Sequence, residues 1–405
     1  MTKKIYLVGG ALRDKLMGLE IKDRDFVAVG YEPSDFTHLT QVGKDFPVFL
    51  QDDGSELALA RREKKVASGY SGFETETKDV SLEEDLKRRD LTINSIAYDE
   101  EEDRLIDPYK GVEDIEKKVL RHTSEAFVED PLRVLRLARF RARFGDEWRV
   151  HPSTKVLVQS MRDELEALQQ DRVWKEIEKV LEAKNSYLFF DTLFELGVLD
   201  VVFPSIYELT RIKEGTPYHK EGSVFIHTMM VLKELDDASL LLKLTALYHD
   251  IGKPFSYKTY GNAAGHEKIE LVEPKIDMQI PVKLKKKMLF LIKHHIKIAK
   301  LQEMRVQKVA SFFEEFRRDE ELLDDLIKFC YADDRGRITN SEPLELEEER
   351  LKSILKEINS YSPKEWIESQ STKPSGEQIA QHIHCKNIEI VKRSYHRRVR
   401  PKSSR

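Results

Sequence analysis

Asp23 and Asp25 flank Arg24 immediately before an apolar run, residues 26 to 29. Side chains in a strand alternate faces and rise about 3.3 Å per residue, so the two carboxylates leave on one side, about 6 to 7 Å apart. That spacing suits one or two hard cations bound by oxygen. Magnesium takes carboxylates, waters and substrate phosphates, and two-metal phosphoryl-transfer sites use such pairs. Standing alone, an Asp-x-Asp is more often an acidic turn than a metal site, so its neighbours carry the argument. Gly9 and Gly10 lie upstream, where backbone amides without side chains can approach a phosphate at the amino end of a helix. Downstream come Lys87, Arg88 and Arg89, then Asp90 and Asn94. Lys87 to Arg89 suit a solvated helix face. Beside the carboxylates, a guanidinium there would instead chelate triphosphate oxygens, with Asp90 and Asn94 hydrogen-bonding a ribose.

A second chemical constellation spans His227, the pair His249-Asp250, His266, His294-His295 and Asp333, with His219 ahead of it. One histidine is commonly structural. Several histidines interleaved with aspartates supply imidazole and carboxylate ligands for one divalent metal or two.

Elements must place these groups. Residues 5 to 8 and 26 to 29 read as strands and residues 11 to 17 as a short helix. Residues 42 to 50 and 56 to 60 read as strands joined by the Asp52-Asp53-Gly54 turn, which makes the head a small sheet. Residues 61 to 78 are polar and read as a loop, and 107 to 111 as a turn closing the head. The pattern then becomes helical, beginning with 112 to 120. In the next helix Asp130 is the expected N-cap and Pro131 the first helical residue. Arg133, Arg136, Arg139 and Arg143 share one side of it, either as a solvated ridge or as an anion-binding face turned toward the head. Residues 147 to 209 read as amphipathic helices. Asp171 is a plausible cap there, and Trp174 and Ile177 face a core. His227 falls on a helix from 224 to 235, and His249-Asp250 ends another from 241 to 248.

Composition narrows the class. The chain has 405 residues, is 35% charged and 40% hydrophobic, and carries a net charge of −5. That length suits several domains, and no apolar run is long enough to span a membrane. With no charged-then-apolar leader, the expected location is cytoplasmic. Cys330 and Cys385 provide no disulfide framework and no thiolate zinc site, so any metal must use oxygen and imidazole. Residues 391 to 405 hold Lys392, Arg393, Arg397, Arg398, Arg400, Lys402 and Arg405 without an acid, which suits a disordered or nucleic-acid-binding arm.

The ordered segments Leu7-Val8-Gly9-Gly10-Ala11-Leu12-Arg13-Asp14, Lys22-Asp23-Arg24-Asp25, Gly43-Lys44-Asp45-Phe46-Pro47-Val48, Leu86-Lys87-Arg88-Arg89-Asp90-Leu91-Thr92-Ile93-Asn94 and Glu129-Asp130-Pro131-Leu132-Arg133-Val134-Leu135-Arg136 resemble the motifs of bacterial class II tRNA nucleotidyltransferases. These are the CCA-adding enzymes of the polymerase-beta-like superfamily. The resemblance implies that Asp23 and Asp25 are catalytic and bind Mg2+. It implies that Gly10, Arg13, Arg89, Arg136 and Arg139 contact the nucleotide, that Asp130 and Arg133 read its base, and that the helical body carries the RNA, with Arg172 and Lys175 against its phosphates. Cytosine and adenine each present an exocyclic amine beside an unprotonated ring nitrogen, so a carboxylate acceptor and a guanidinium donor select them over uracil and guanine. Glu56 and Asp90 both remain open as a third carboxylate.

The histidine order resembles HD-domain phosphohydrolases, with His227, His249, Asp250 and Asp333 matching the core ligands. His266 and His295 then suit a second metal, with His294 as an alternative to His295. The implied activity is metal-assisted hydrolysis of a phosphoester, such as a 2′,3′-cyclic phosphate or a 2′-nucleotide, using a divalent transition metal.

The expected fold is α+β, a small mixed-sheet head followed by an all-helical neck, body and HD domain. The expected divisions are 1 to 110 (nucleotidyltransferase head), 111 to 145 (neck with the base-reading helix), 146 to 212 (RNA-binding body), 213 to 345 (HD domain) and 346 to 405 (helical and basic tail). The implied partners are tRNA, CTP and ATP, with no membrane, and the implied product is a tRNA carrying CCA. Two other readings remain open: a poly(A), CC-only or A-only polymerase, and an HD hydrolase whose head only binds nucleotide or RNA.

Overall fold

The computed structural model describes residues 2–21, 24–42, 47–65, 73–213 and 220–394. The chain forms two compact units, Met1–Pro204 and Ser205–Arg405.

In the first unit, β1 (Lys4–Val8), β2 (Asp25–Val29), β3 (Thr40–Val42), β4 (Val48–Leu50), β5 (Glu56–Leu59), β8 (Ala97–Asp99) and β9 (Arg104–Ile106) form one sheet in the order β3-β4-β5-β2-β1-β8-β9. β2 runs antiparallel to β1 and parallel to β5, so the sheet is mixed as expected. Period-two alternation buries β1 and β2 on both faces. Tyr6, Val8, Val27 and Val29 pack with Val80 and Leu86 on one side, and Leu7 packs with Ala11, Leu12 and Ile96 on the other. The Asp-Gly hairpin forms as its sequence predicts, with Gly54 at φ +83.

Four expectations need correction. Residues 42 to 50, read as one strand, hold the end of β3 and all of β4, which pair antiparallel with Val42 opposite Val48, so the chain reverses between them. The polar stretch read as a loop contains an antiparallel ribbon, β6 (Arg62–Lys65) paired with β7 (Phe73–Glu76). Pairing supplied the order that apolar periodicity did not signal. The helix read over 112 to 120 stops early, at Gly111–Glu116, and β10 (Val119–Leu120) pairs in parallel with β11 (Arg149–Val150), so the neck is not wholly helical. Finally, Gln169 rather than Asp171 caps the Gln170–Glu182 helix.

The arginine-bearing helix spans Leu132–Phe144, with Asp130 Oδ1 accepting from Leu132 N at 3.1 Å. Asp130 thus makes the capping bond expected of it, while the helix itself begins one residue later than the expected Pro131. The Gln170–Glu182 and Tyr187–Leu196 helices pack on it. Trp174, Ile177, Val180 and Leu181 form the buried stripe expected of the former.

The second unit is helical among its described residues. Val224–Glu234, Leu240–Tyr248, Val282–Ala299 and Glu321–Arg335 pack around one centre. Val306–Glu315, Glu348–Ser360 and Gly376–Ser394 pack together beyond it. Lys392 and Arg393 therefore finish a packed helix, while the rest of the basic arm, from Tyr395, lies outside the described residues. Among the described residues, no helix is long and apolar enough to cross a membrane.

Candidate active sites in the two units

Asp25 opens β2 and is half-buried. It shares the face of Val27 and Val29, which carries Leu86 and thus the segment leading to Arg89. Gly9 begins the Gly9–Leu16 helix at φ +73, and a Cβ there would stand 3.3 Å from Asp25 Oδ2 and 3.2 Å from Arg89 Nη1. The glycine is needed for both its left-handed φ and the close approach of carboxylate and guanidinium. Asp25, Arg89 and the amino end of the Gly9 helix therefore converge. Asp23 and His219 lie outside the described residues.

The register adds a group whose place was left open. Asp25 is paired with Glu56 across the parallel β2 and β5 strands, and Glu56 is exposed. Asp90, the rival, is buried and committed elsewhere, accepting from Arg136 Nε at 2.9 Å and from Asn94 Nδ2 at 2.8 Å. Burial alone would raise its pKa, but Arg136 and Asn94 outweigh that and hold it well below the usual carboxylate range.

The arginines predicted to meet nucleotide have protein partners. Arg13 is buried, donates to Asp14 and to Asn94 Oδ1 at 2.6 Å, and lies over the Phe140 and Phe144 rings. Arg143 reaches Asp14 Oδ2 at 2.8 Å, Arg139 reaches Glu176 Oε2 at 2.6 Å, and Arg136 reaches Asp90. Arg133 is buried with Nη1 donating to the Ala126 carbonyl. Arg89 bonds the buried Asp85 at 3.1 Å, as Arg88 does at 2.7 Å, whereas Lys87 is the solvated member of that run. The ridge is thus no row of solvated charges. Its arginines bind the neck helix to the head and body. Asp130 Oδ2 accepts from Arg172 Nη2 at 3.0 Å, so in this structure Arg172 meets the reading helix.

In the second unit, two groups of three ligand atoms form: His227, His249 and Asp333, and Asp250, His266 and His295. All six residues are more than nine-tenths buried. Each imidazole meets a backbone carbonyl through Nδ1: His227 with Gly336 at 3.1 Å, His249 with Ala246 at 2.8 Å, His266 with Ala263 and His295 with Ile292 at 2.6 Å. That leaves Nε2 to face the centre, the outer-sphere arrangement that orients metal-binding histidines. His249 Nε2 and His266 Nε2 are buried and both face the Asp250 carboxylate at 3.1 Å. Lone pairs converging in this way suit a cation.

The partition differs from the expected one. Asp250 groups with the second set, its Oδ1 at 3.1 Å from His266, while Oδ2 lies 3.1 Å from His249, so the carboxylate spans both. His294 does not substitute for His295. It faces Glu315 at 3.2 Å among Phe290, Phe312 and Phe316. Burial opposes charge on His249, but Asp250 and Asp333 push it up to about 10, whereas burial beside His266 and His249 takes His295 down to about 3. The two buried carboxylates thus demand positive charge at the centre, which divalent ions would supply.

Sequence reasoning passed over several neighbours here. Lys253 Nζ lies 2.9 Å from Asp250, and Arg337 pairs with Asp333. Their signal was positional, three and four residues beyond a ligand aspartate on a helical path. A Cβ on Gly252 would fall 2.1 Å from the His266 carbonyl oxygen, so that glycine lets the His266 loop lie against the His249-Asp250 turn. The resulting cavity measures 360 Å³ and is lined by the ligands with Lys253, Tyr257, Lys300 and Arg337.

Comparison with known proteins agrees with both fold and motif order. Residues 5–121 match the family model "Poly A polymerase head domain", and 149–209 match "Probable RNA and SrmB- binding site of polymerase A". A multifunctional CCA protein of Shewanella denitrificans is 43% identical over 352 residues, covering 82% of this chain and 84% of the relative. The chain belongs to the multifunctional CCA protein family. The solved structure of a CCA-adding enzyme in apo form II shares the fold, with a TM-score of 0.63 at 22% identity over 98% of this chain and 89% of that one. The Thermotoga maritima CCA-adding enzyme complexed with tRNA_CCA has a TM-score of 0.58 at 20% identity, covering 97% of this chain and 90% of that one. Members of this family are nucleotidyltransferases, and the convergence at Gly9 lies in the matched head.

Proposed function

We propose that this chain adds C, C and A to the 3′ end of tRNA from CTP and ATP, without a nucleic-acid template, in the cytoplasm. The observation that carries the reading is the meeting of Asp25, Arg89 and the Gly9 helix terminus on a head that belongs to the CCA family. Asp25, with Asp23 and with Glu56 in register, would hold magnesium through oxygen atoms only. Bound magnesium supplies charge neutralisation between the triphosphate and the 3′ hydroxyl. The chain's own residues do the positioning. The Gly9 and Gly10 amides receive phosphate oxygens, and Arg89 adds a bidentate cation. Arg13, Arg136 and Arg139 shape the nucleotide site from the neck side, through the ion pairs that align the neck helix. Asp130 accepts from the exocyclic amine and Arg133 donates to the ring nitrogen of the incoming base.

The functional divisions proposed are a head over 1–110, a neck over 111–145, an RNA-binding body over 146–212, an HD domain over 213–345 and a helical, basic end over 346–405. The HD domain hydrolyses phosphoesters such as 2′,3′-cyclic phosphates. His227, His249, Asp250 and Asp333 would hold a divalent transition metal, and His266 and His295 with Asp250 a second. Such ions supply Lewis acidity. Lys253, Arg337 and Lys300 add positive charge at the cavity wall for an anionic substrate.

Incubating the protein with tRNA ending at its discriminator base, with CTP and ATP singly and together, tests the transferase reading. Addition that stops after CCA supports it. Continued adenylation favours a poly(A) polymerase, addition of C alone or A alone favours a partial enzyme, and no addition leaves only a hydrolase with a binding head.

A further inference from the structure

We propose that Arg172 is a positioning residue for nucleobase selection. It fixes the carboxylate of Asp130 in the orientation that accepts from cytosine and adenine. The proposal rests on the reading of Asp130 and Arg133 as the base-selecting pair. It adds a residue from another element that does not touch the nucleotide.

The geometry points there in two steps. Asp130 is held at both oxygens from different directions. Oδ1 accepts from Leu132 N at 3.1 Å, tying it to the start of its own helix, and Oδ2 accepts from Arg172 Nη2 at 3.0 Å, tying it to the Gln170–Glu182 helix. A carboxylate has two lone pairs on each oxygen, so these bonds set its plane and still leave acceptor positions for an amine. The second step lies one helical turn along. Glu176, four residues after Arg172 and buried, accepts from Arg139 Nε at 2.6 Å. The Gln170–Glu182 helix therefore offers a guanidinium to Asp130, just ahead of the Leu132–Phe144 helix, and one of its own turns later a carboxylate to Arg139 within that helix. A slip by one turn would place Glu176 away from Arg139 and set Arg172 among the arginines of its partner helix, so the alternating signs define the register.

Selection between C or A and U or G requires Asp130 to remain an acceptor at a fixed angle. A rotated carboxylate meets the carbonyl of U or G less unfavourably, because the clash of two acceptors depends on their alignment. Removing Arg172 frees that rotation while leaving Asp25, Arg89 and the phosphate-binding amides in place. The loss should therefore appear in discrimination and in KM more than in kcat.

The test uses the full chain and tRNA ending at the discriminator base, with single-nucleotide incorporation from CTP and from UTP. The ratio of the two kcat/KM values is independent of how much protein is folded, so partial unfolding of a variant does not disturb it. Arg172→Met should lower the CTP-to-UTP ratio about tenfold and raise KM for CTP, Arg172→Gln should do so less, and Arg172→Lys should restore most of the selectivity. Asp130→Asn and Arg133→Ala are run alongside. If either of these alters selection while Arg172→Met leaves the ratio as it was, the proposal is overturned and the base reader stands. If all three leave selection intact, the base reader itself is wrong and the proposal falls with it. A purely structural role for Arg172 would slow CTP and UTP incorporation equally, which also overturns it.

Discussion

The two chemical centres of this chain are built on opposite plans. In the head, Asp25 stands half-buried at the end of a strand, Glu56 is exposed beside it, and the nearby arginines are held by acids of the protein. Oxygen donors at the ends of two central strands bind a hard cation weakly until phosphate oxygens complete the shell. In the second unit, the imidazole and carboxylate ligands are all deeply buried, and each histidine is oriented by a backbone carbonyl. That centre is preformed. A site that must admit three successive nucleotides suits the first plan, and a site that retains its metal through turnover suits the second.

The largest effect expected from breaking this contrast is Asp25→Asn. Nucleotide addition should fall by at least about 10²-fold, measured as labelled CTP incorporation, while hydrolysis of a 2′,3′-cyclic phosphate persists. Parallel loss of both activities would mean that the centres are not separate.

His249→Gln or Asp250→Asn should give the converse, with hydrolysis and metal content by elemental analysis reduced about 10- to 100-fold and CCA addition retained. Because Asp250 spans both ligand sets, its variant should lose more metal than a His295→Gln variant does.

A smaller effect is expected within the neck. Arg133→Ala should lower preference for CTP over UTP by about tenfold, read from competing incorporation into one tRNA; unchanged rejection of UTP would remove Arg133 from the base reader.

The smallest effect concerns an acid without the cationic surroundings that Asp250 and Asp333 enjoy. Asp191, on the Tyr187–Leu196 helix, is pushed up to about 6 by burial and by Glu195, against the pull of Arg141. The folded state therefore binds its proton more tightly than the unfolded state, and stability falls as pH rises from about 4 to about 6. Asp191→Asn should remove that slope and raise stability at neutral pH by about 1 to 3 kcal/mol, measured by urea unfolding of the first unit across that range.

Much of both sites was legible because it depends on local periodicity. Alternation along residues 25 to 29 put Asp25 on the face of Val27, and helical spacing put Arg133, Arg136, Arg139 and Arg143 on one side. The ordered histidines and aspartates announced a cluster of candidate metal ligands before any helix was placed. The ribbon of β6 and β7 was not legible, since Arg62–Lys65 is charged throughout and Phe73–Glu76 offers one apolar residue, so neither shows an apolar stripe. Arg172 looked like a phosphate contact because a basic residue on an amphipathic helix has the same pattern whether it meets RNA or a carboxylate.

The chain by itself therefore determined the identity and order of the reacting groups, because motif spacing and side-chain alternation are properties of a single segment. Only the tertiary structure decided which groups share a place. Asp25 meets Glu56 through the pairing of two parallel strands distant in sequence, and Asp130 meets Arg172 through the packing of two helices. His295 turns to the metal centre and His294 to phenylalanine rings because neighbours on a helix point about 100° apart, and only the packing around that helix says which direction leads inward.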